Sequence, residues 1–209
     1  MLETALVAFT TFFATIGPLD VAALFAALTV GATPKERRQM ALKGSLIGGG
    51  ILLFFALFGK AVLTSFGITL PALQASGGIL LLLIAIDMVF ARDSGSTTAT
   101  DEEKVEAQGK KDVSVFPLAT PLIAGPGAIG AAVLLVAETK GDTVETALVI
   151  AVLLGMVLLT FLLMLLATQV HKLLGVTGLH VISRVVGVLL AALAVQFIFN
   201  GIRDSGLLG

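Results

Sequence analysis

Asp20 and Asp87 are carboxylates set within long apolar runs, and two glycine-proline pairs, Gly17-Pro18 and Gly125-Pro126, each lie near the middle of such a run. An acid in hydrocarbon costs ~2.5 to 3.5 kcal/mol on insertion scales, so it requires a partner, an aqueous cavity or a cation. Asp20, two residues after Pro18, is nearest the centre of its run. It is expected to cap its own helix, to hold a substrate ammonium, or to carry a coupling ion, a proton or sodium.

Proline lacks an amide donor, clashes with the carbonyl one turn back and pushes the preceding residue away from helical geometry. Glycine can adopt whatever backbone angles the break demands. A helix restarting at each proline would offer the N–H groups of residues 19 to 21 and 127 to 129, and would strip partners from the carbonyls of 14 to 17 and 122 to 125. The candidate substrate-binding residues are thus Thr15, Gly17, Pro18, Leu19 and Asp20 at the first break, and Thr120, Gly125, Pro126, Gly127 and Ala128 at the second. Helix N-termini attract a carboxylate, and free carbonyls suit an ammonium or another cation, so the pair of poles fits a zwitterionic amino acid. The plainer alternative is a pair of proline kinks repaired by neighbouring helices.

Positioning these residues requires membrane-spanning helices. Of the 209 residues 57% are hydrophobic and 13% charged, and the mean hydropathy of +1.06 excludes an ordinary soluble domain. Apolar segments at 4–29, 42–64, 71–90, 113–137, 143–169 and 179–200 are each long enough to cross a hydrocarbon core of ~30 Å. In that order, Lys35, Arg37, Arg38, Lys43, Arg92, Lys104, Lys110, Lys111, Lys172 and Arg184 fall on one side, with only Lys60, Lys140 and Arg203 on the other. The bias places the first side in the cytoplasm and both termini outside it, in a multi-pass membrane protein. Thr33-Pro34 starts the second span with a helix-initiating pair.

A shift of 108 residues superposes Gly17-Pro18 on Gly125-Pro126 and Phe66-Gly67-Ile68-Thr69 on Leu174-Gly175-Val176-Thr177; a shift of 109 sets Asp87 opposite Gln196. The expected fold is all-α: six spans in two inverted three-helix repeats, 1–90 and 112–209, joined by a polar cytoplasmic linker at 91–111, with spans 1 and 4 broken at Gly-Pro. Pro117 and Pro121 should make the first half of span 4 irregular. Ser45, Gly48, Gly49, Gly77 and Gly78 read as packing surfaces, whereas the face carrying Gly127 and Gly130 admits a helix or a small substrate. Thr15, Thr120, Gln196 and Asn200 read as helix-bridging hydrogen-bonders or as groups lining a pathway.

Enzymatic readings find little support. Cysteine is absent, and His171 and His180 lack metal-site spacing. No nucleophile elbow or phosphate-binding glycine loop occurs, so neither enzymatic activity nor a cofactor is expected. A net charge of -1 gives no reason to expect a nucleic-acid partner. The lipid bilayer is the evident partner, and self-association into a homo-oligomer is left open.

The segments FFATIGPLDVAALFAALT, SGGILLLLIAIDMVF, FPLATPLIAGPGAIGAAVLL and QFIFNGIR resemble, across nearly the whole chain, the MarC family of bacterial and archaeal inner-membrane proteins. The resemblance implies a fold similar to the lysine-exporter superfamily and transport of small neutral amino acids such as glycine and alanine. Members often carry Asn-Pro or Asp-Pro at the first break; Gly17 stands there here, leaving Asp20 to supply polarity. The expectation is a secondary transporter working by alternating access. The alternatives are a non-transporting scaffold or regulatory protein, an exporter of another small metabolite, and an ion permease, the last disfavoured by the lack of clustered ligands.

Overall fold

The computed structural model describes residues 1–29, 31–90 and 112–206, with backbone alone at 27, 70, 167–180 and 183. Every regular element among them is helical. α1 (Leu2–Ile16) and α2 (Pro18–Leu28) are followed by α3 (Pro34–Ser65) and α4 (Leu70–Phe90). An irregular segment, Ser114–Ile123, precedes α5 (Pro126–Glu138), α6 (Thr143–Leu165) and α7 (Ala167–Asp204). Five stretches are long and apolar enough to span a membrane, with α1 and α2 counting as one; the irregular segment and α5, bent by 52°, make a sixth if taken together. The segment at 91–111 lies outside the described residues.

Local chemistry fixes the ends. Thr33 and Glu36 form a reciprocal capping box, Thr33 N–H donating to Glu36 Oε2 at 2.8 Å, so α3 begins at Pro34, eight residues before the apolar run at 42. It ends in a Schellman motif: Gly67 (φ 72) donates to Thr64 O and Ile68 to Leu63 O. Asp142 caps α6 through the N–H groups of Val144 and Glu145. One expectation fails here. No extended loop separates the fifth and sixth spans, because the chain turns at Leu166 and α7 runs unbroken from Ala167. Leu174–Thr177 is therefore helical whereas Phe66–Thr69 is a turn, so the second sequence match does not reflect a shared conformation.

Large apolar side chains such as Phe54, Leu57, Phe58, Leu158, Val185 and Val188 are exposed, an arrangement that hydrocarbon tolerates and water does not. The interior holds Phe12, Phe25, Leu52, Leu81, Ile84 and Leu134. Since lipid offers apolar groups the same surroundings as the core, close packing must supply the adhesion. α3 packs on the irregular segment and on α5, while α6 packs on α1 and α2; α4 and α7 form the most extensive pair.

Glycine sets the spacing of that pair. A methyl on Gly78 would lie 2.7 Å from both Ala194 O and Ile198 Cγ1; one on Gly187 would lie 3.2 Å from Ala85 O and 3.1 Å from Val89 Cγ2. Adding 109 to 78, 85 and 89 gives 187, 194 and 198, so the contact is reciprocal. Gly201 similarly abuts Pro71 O and Ala75 N. On α3, Gly44 and Gly48 receive Leu118 and Ile123 together with the carbonyls of Ser114 and Ala119. The expected packing roles of Gly48 and Gly78 agree with these contacts; Gly49 faces Val157 and Gly77 faces Leu134, and Ser45 is buried.

Candidate functional site

Gly17 is the single residue between α1 and α2, held in the left-handed region at φ 61, ψ 57. A side chain there would cost ~1 to 2 kcal/mol, which explains the glycine. Gly17 N–H donates to Phe13 O at 3.0 Å, and its carbonyl accepts from Val21 N–H at 2.9 Å. The carbonyl pole expected at this residue is thus already occupied. Gly17 and Pro18 are buried, with Leu19 and Asp20 half-buried. A methyl at Gly17 would meet Asp20 Oδ2 at 3.3 Å, so the carboxylate folds back over the start of α2, where the positive end of the helix favours an anion.

The second break has a different geometry. Gly125 is extended at φ -79, ψ 167, and Pro126 is exposed. Gly127 and Ala128 are buried in the first turn of α5, with no capping side chain at Gly125. Gly125 O accepts from Ile129 N–H at 3.0 Å, so this expected carbonyl pole is occupied too. A methyl on Gly127 would collide with Ile84 Cδ1, whereas Gly130 has open space around it. The glycine face thus meets a helix at Gly127 and is open at Gly130. Upstream, Pro117 and Pro121 cannot donate, and Phe116 and Thr120 take extended angles as residues preceding proline do. Leu118 and Ala124 donate instead to carbonyls five residues back; the Phe116–Pro117 and Thr120–Pro121 bonds are cis.

α1 packs on α5, and α2 on the irregular segment, so the broken elements are neighbours. The polar residues expected to bridge helices behave otherwise. Thr15 Oγ1 donates within its own helix to Thr11 O at 2.8 Å, Gln196 Nε2 donates to Asn200 Oδ1 one turn on, and Thr120 Oγ1 lies 3.5 Å from Val115 O. Asp87 is half-buried on α4.

Polar contacts between elements occur at the bundle's ends, on residues the sequence did not single out as site candidates. At the end carrying the start of α3, Lys43 Nζ donates to Asp112 Oδ2 at 2.8 Å, and Asp112 also accepts from Ser114 N–H. Glu36, Gln39, Lys43 and Asp112 line a cavity of about 620 Å³ there. At the opposite end Thr4 Oγ1 donates to Glu145 Oε1 at 3.2 Å and Gln74 Nε2 to Glu138 Oε1 at 2.6 Å. A second cavity, of about 210 Å³, lies there. Neither cavity is lined by the two glycine-proline pairs. Gln74, flanked by apolar residues in LPALQA, was the available signal for the second end.

The Lys43 hydrogen bond, foremost, and those from Ser114 lower the Asp112 carboxyl to about 2. A depressed acid contributes stability above its unfolded value near ~3.9 and loses it as pH falls toward about 2. The pair is half-exposed, so the contribution is below ~1 kcal/mol. Asp112→Asn should therefore lower the melting temperature slightly at neutral pH. In circular-dichroism melts that gap should close as the pH falls from ~4 to ~2; a pH-independent gap would exclude the link.

A bundle of helices long and apolar enough to span a bilayer, with its outer face coated in apolar side chains, is a multi-pass integral membrane protein. The family described as MarC family integral membrane protein matches residues 2–205. The chain belongs to the MarC family. Similar proteins include a UPF0056 membrane protein of Methanocaldococcus jannaschii, 39% identical with 98% of each chain covered. YvbG of Bacillus subtilis, also a UPF0056 membrane protein, is 34% identical over 93% of this chain and 92% of its own. YhcE of Escherichia coli is 32% identical over 91% and 88%. No solved structure matches.

Proposed function

We propose that this MarC-family chain is a secondary transporter of small neutral amino acids, glycine- or alanine-like, working by alternating access around the Gly17 and Gly125 breaks. The observation that carries the reading is the interrupted backbone at Gly17, buried in the bundle with the Asp20 carboxylate folded against it. Irregular backbone at membrane depth is tolerated where protein or an aqueous cavity receives it, and such interruptions serve as substrate sites in transporters.

The inequivalence of the two breaks supports opposite roles for them toward the substrate's poles. Asp20 already places an anion at the start of α2, so this break suits the substrate ammonium or a coupling proton or sodium. The start of α5 carries no acid, with Ala128 standing where Asp20 does in the first half, so its N–H groups suit the carboxylate. Ile84 covers Gly127, and substrate entry would require α4 to draw away from α5. Two inverted three-span halves, as the reading has them, would permit such rocking, and the reciprocal 78–194 and 187–85 contacts are consistent with that symmetry. The charge distribution orients the Lys43 end toward the cytoplasm of the inner membrane.

Counterflow in proteoliposomes is the direct test. Vesicles preloaded with unlabelled alanine should take up labelled alanine and glycine faster than empty vesicles, with little uptake of lysine or glutamate. No exchange of any amino acid by well-folded protein would discard the reading in favour of a scaffold.

A further inference from the structure

We propose that the outward face of α7 pairs with α7 of a second copy of this chain, the two Gln196 carboxamides meeting at a two-fold axis normal to the membrane. The part of α7 apolar and long enough to span is Arg184–Asp204. Gln196 lies twelve residues from Arg184 and seven from Arg203, about 18 and 10 Å along the axis, so it sits at the depth of the hydrocarbon. Polar side chains at that depth ordinarily turn into the bundle. Gln196 does not: it is exposed on the outer face, between exposed Ala192 and exposed Phe199.

Its hydrogen bonding is half complete. Nε2 donates one hydrogen to Asn200 Oδ1 at 3.0 Å. The other hydrogen and Oε1 find no partner among the described residues. A carboxamide left with one donor and one acceptor toward hydrocarbon is matched by a group that offers the same pair. Another Gln196 is such a group. Copies inserted in the same orientation carry it at the same depth, and a two-fold axis lets each amide donate to the other's carbonyl. Acyl chains offer neither donor nor acceptor, and residues 185–202 carry no charge that would draw an ionic partner.

The surface around Gln196 is free along its length. Steps of four and three residues lead from it through Ala192, Leu189 and Val185 on one side and to Phe199 on the other, every one of them exposed. Two parallel helices mesh at that spacing, and the small Ala192 lets them close on the polar pair. The stripe that meets α4 is a different one, carrying Gly187, Ala194 and Ile198. Beside the exposed stripe, Leu6, Val7 and Thr10 of α1 join Leu189, Leu193 and Gln196 in lining a groove of about 390 Å³. The partner's apolar side chains can enter it, and the Thr10 hydroxyl adds a polar contact at the level of Gln196.

The chain contains no cysteine, so single replacements report proximity without background. In proteoliposomes at low protein density, Ala192→Cys in the full chain should form an intermolecular disulfide on oxidation, whereas Leu158→Cys, exposed on the outer face of α6, should not. Energy transfer between separately labelled full chains, followed as lipid is added, measures the association. Gln196→Leu should weaken it by about tenfold, as expected for loss of the paired hydrogen bonds. Ala192→Phe should weaken it too, by holding the helices apart, and serves where the first variant folds poorly. No energy transfer above that of random collisions would overturn the proposal, as would equal cross-linking at positions 192 and 158. Association without cross-linking at Ala192→Cys would place the interface on another face and overturn it. So would unchanged association in the folded variants; if Gln196→Leu then also abolished amino acid exchange, Gln196 would belong to the transport pathway instead.

Discussion

Gly78→Ala is expected to destabilise the protein by ~2 to 3 kcal/mol and lower its melting temperature by ~5 to 10 °C. The added methyl would lie 2.7 Å from Ala194 O and from Ile198 Cγ1, with Ile198 N at 3.0 Å. Backbone cannot swing aside as a side-chain tip can, so α4 and α7 would have to separate along much of their contact. In lipid no hydrophobic gain compensates for the lost packing. Gly155→Ala supplies the control, because nothing lies within 4 Å of that position and alanine is the better helix former by up to ~1 kcal/mol. Circular-dichroism melts of both variants give the comparison. Equal melting temperatures would mean that the glycine seam does not hold the bundle together.

The second large effect concerns Asp20. Asp20→Asn preserves shape and a hydrogen-bond acceptor near the start of α2 while removing the charge, so the fold should survive with a change below ~1 kcal/mol. On the transport reading, accumulation of labelled alanine against its gradient should fall by about tenfold or more. The measurement is uptake in proteoliposomes with imposed proton and sodium gradients, set beside counterflow in the same vesicles. Loss of driven uptake with counterflow retained would identify Asp20 as the coupling acid, and loss of both as the ammonium ligand. Unchanged gradient dependence would remove it from either role.

Much of the architecture was legible because its causes are local. Apolar length announced the spans, Thr33-Pro34 announced the start of α3, and Pro117 with Pro121 announced an irregular half-span. The turn at Leu166 was less visible, since a polar stretch with glycines reads as a loop until a continuing helix absorbs it. The two Gly-Pro pairs look alike in sequence but differ in conformation. Asp20 can fold back on Gly17, whereas Ala128 gives the second break no such anchor. The end-of-bundle polar contacts escaped notice because Lys43 and Asp112, or Gln74 and Glu138, are 69 and 64 residues apart and meet only through packing. Glutamates near helix ends ordinarily read as solvated, and their convergence is a property of the assembled bundle.

The seam between α4 and α7 has the form of an isologous dimer interface written into one chain. Each helix supplies a glycine groove and the ridge that fills the other's groove, so neither half of the protein can satisfy its own surface. Two parallel copies of the first half would bring groove beside groove and leave the ridges unmatched. The interface forms only when the two helices run antiparallel, and its strength is therefore available only after the last helix is in place.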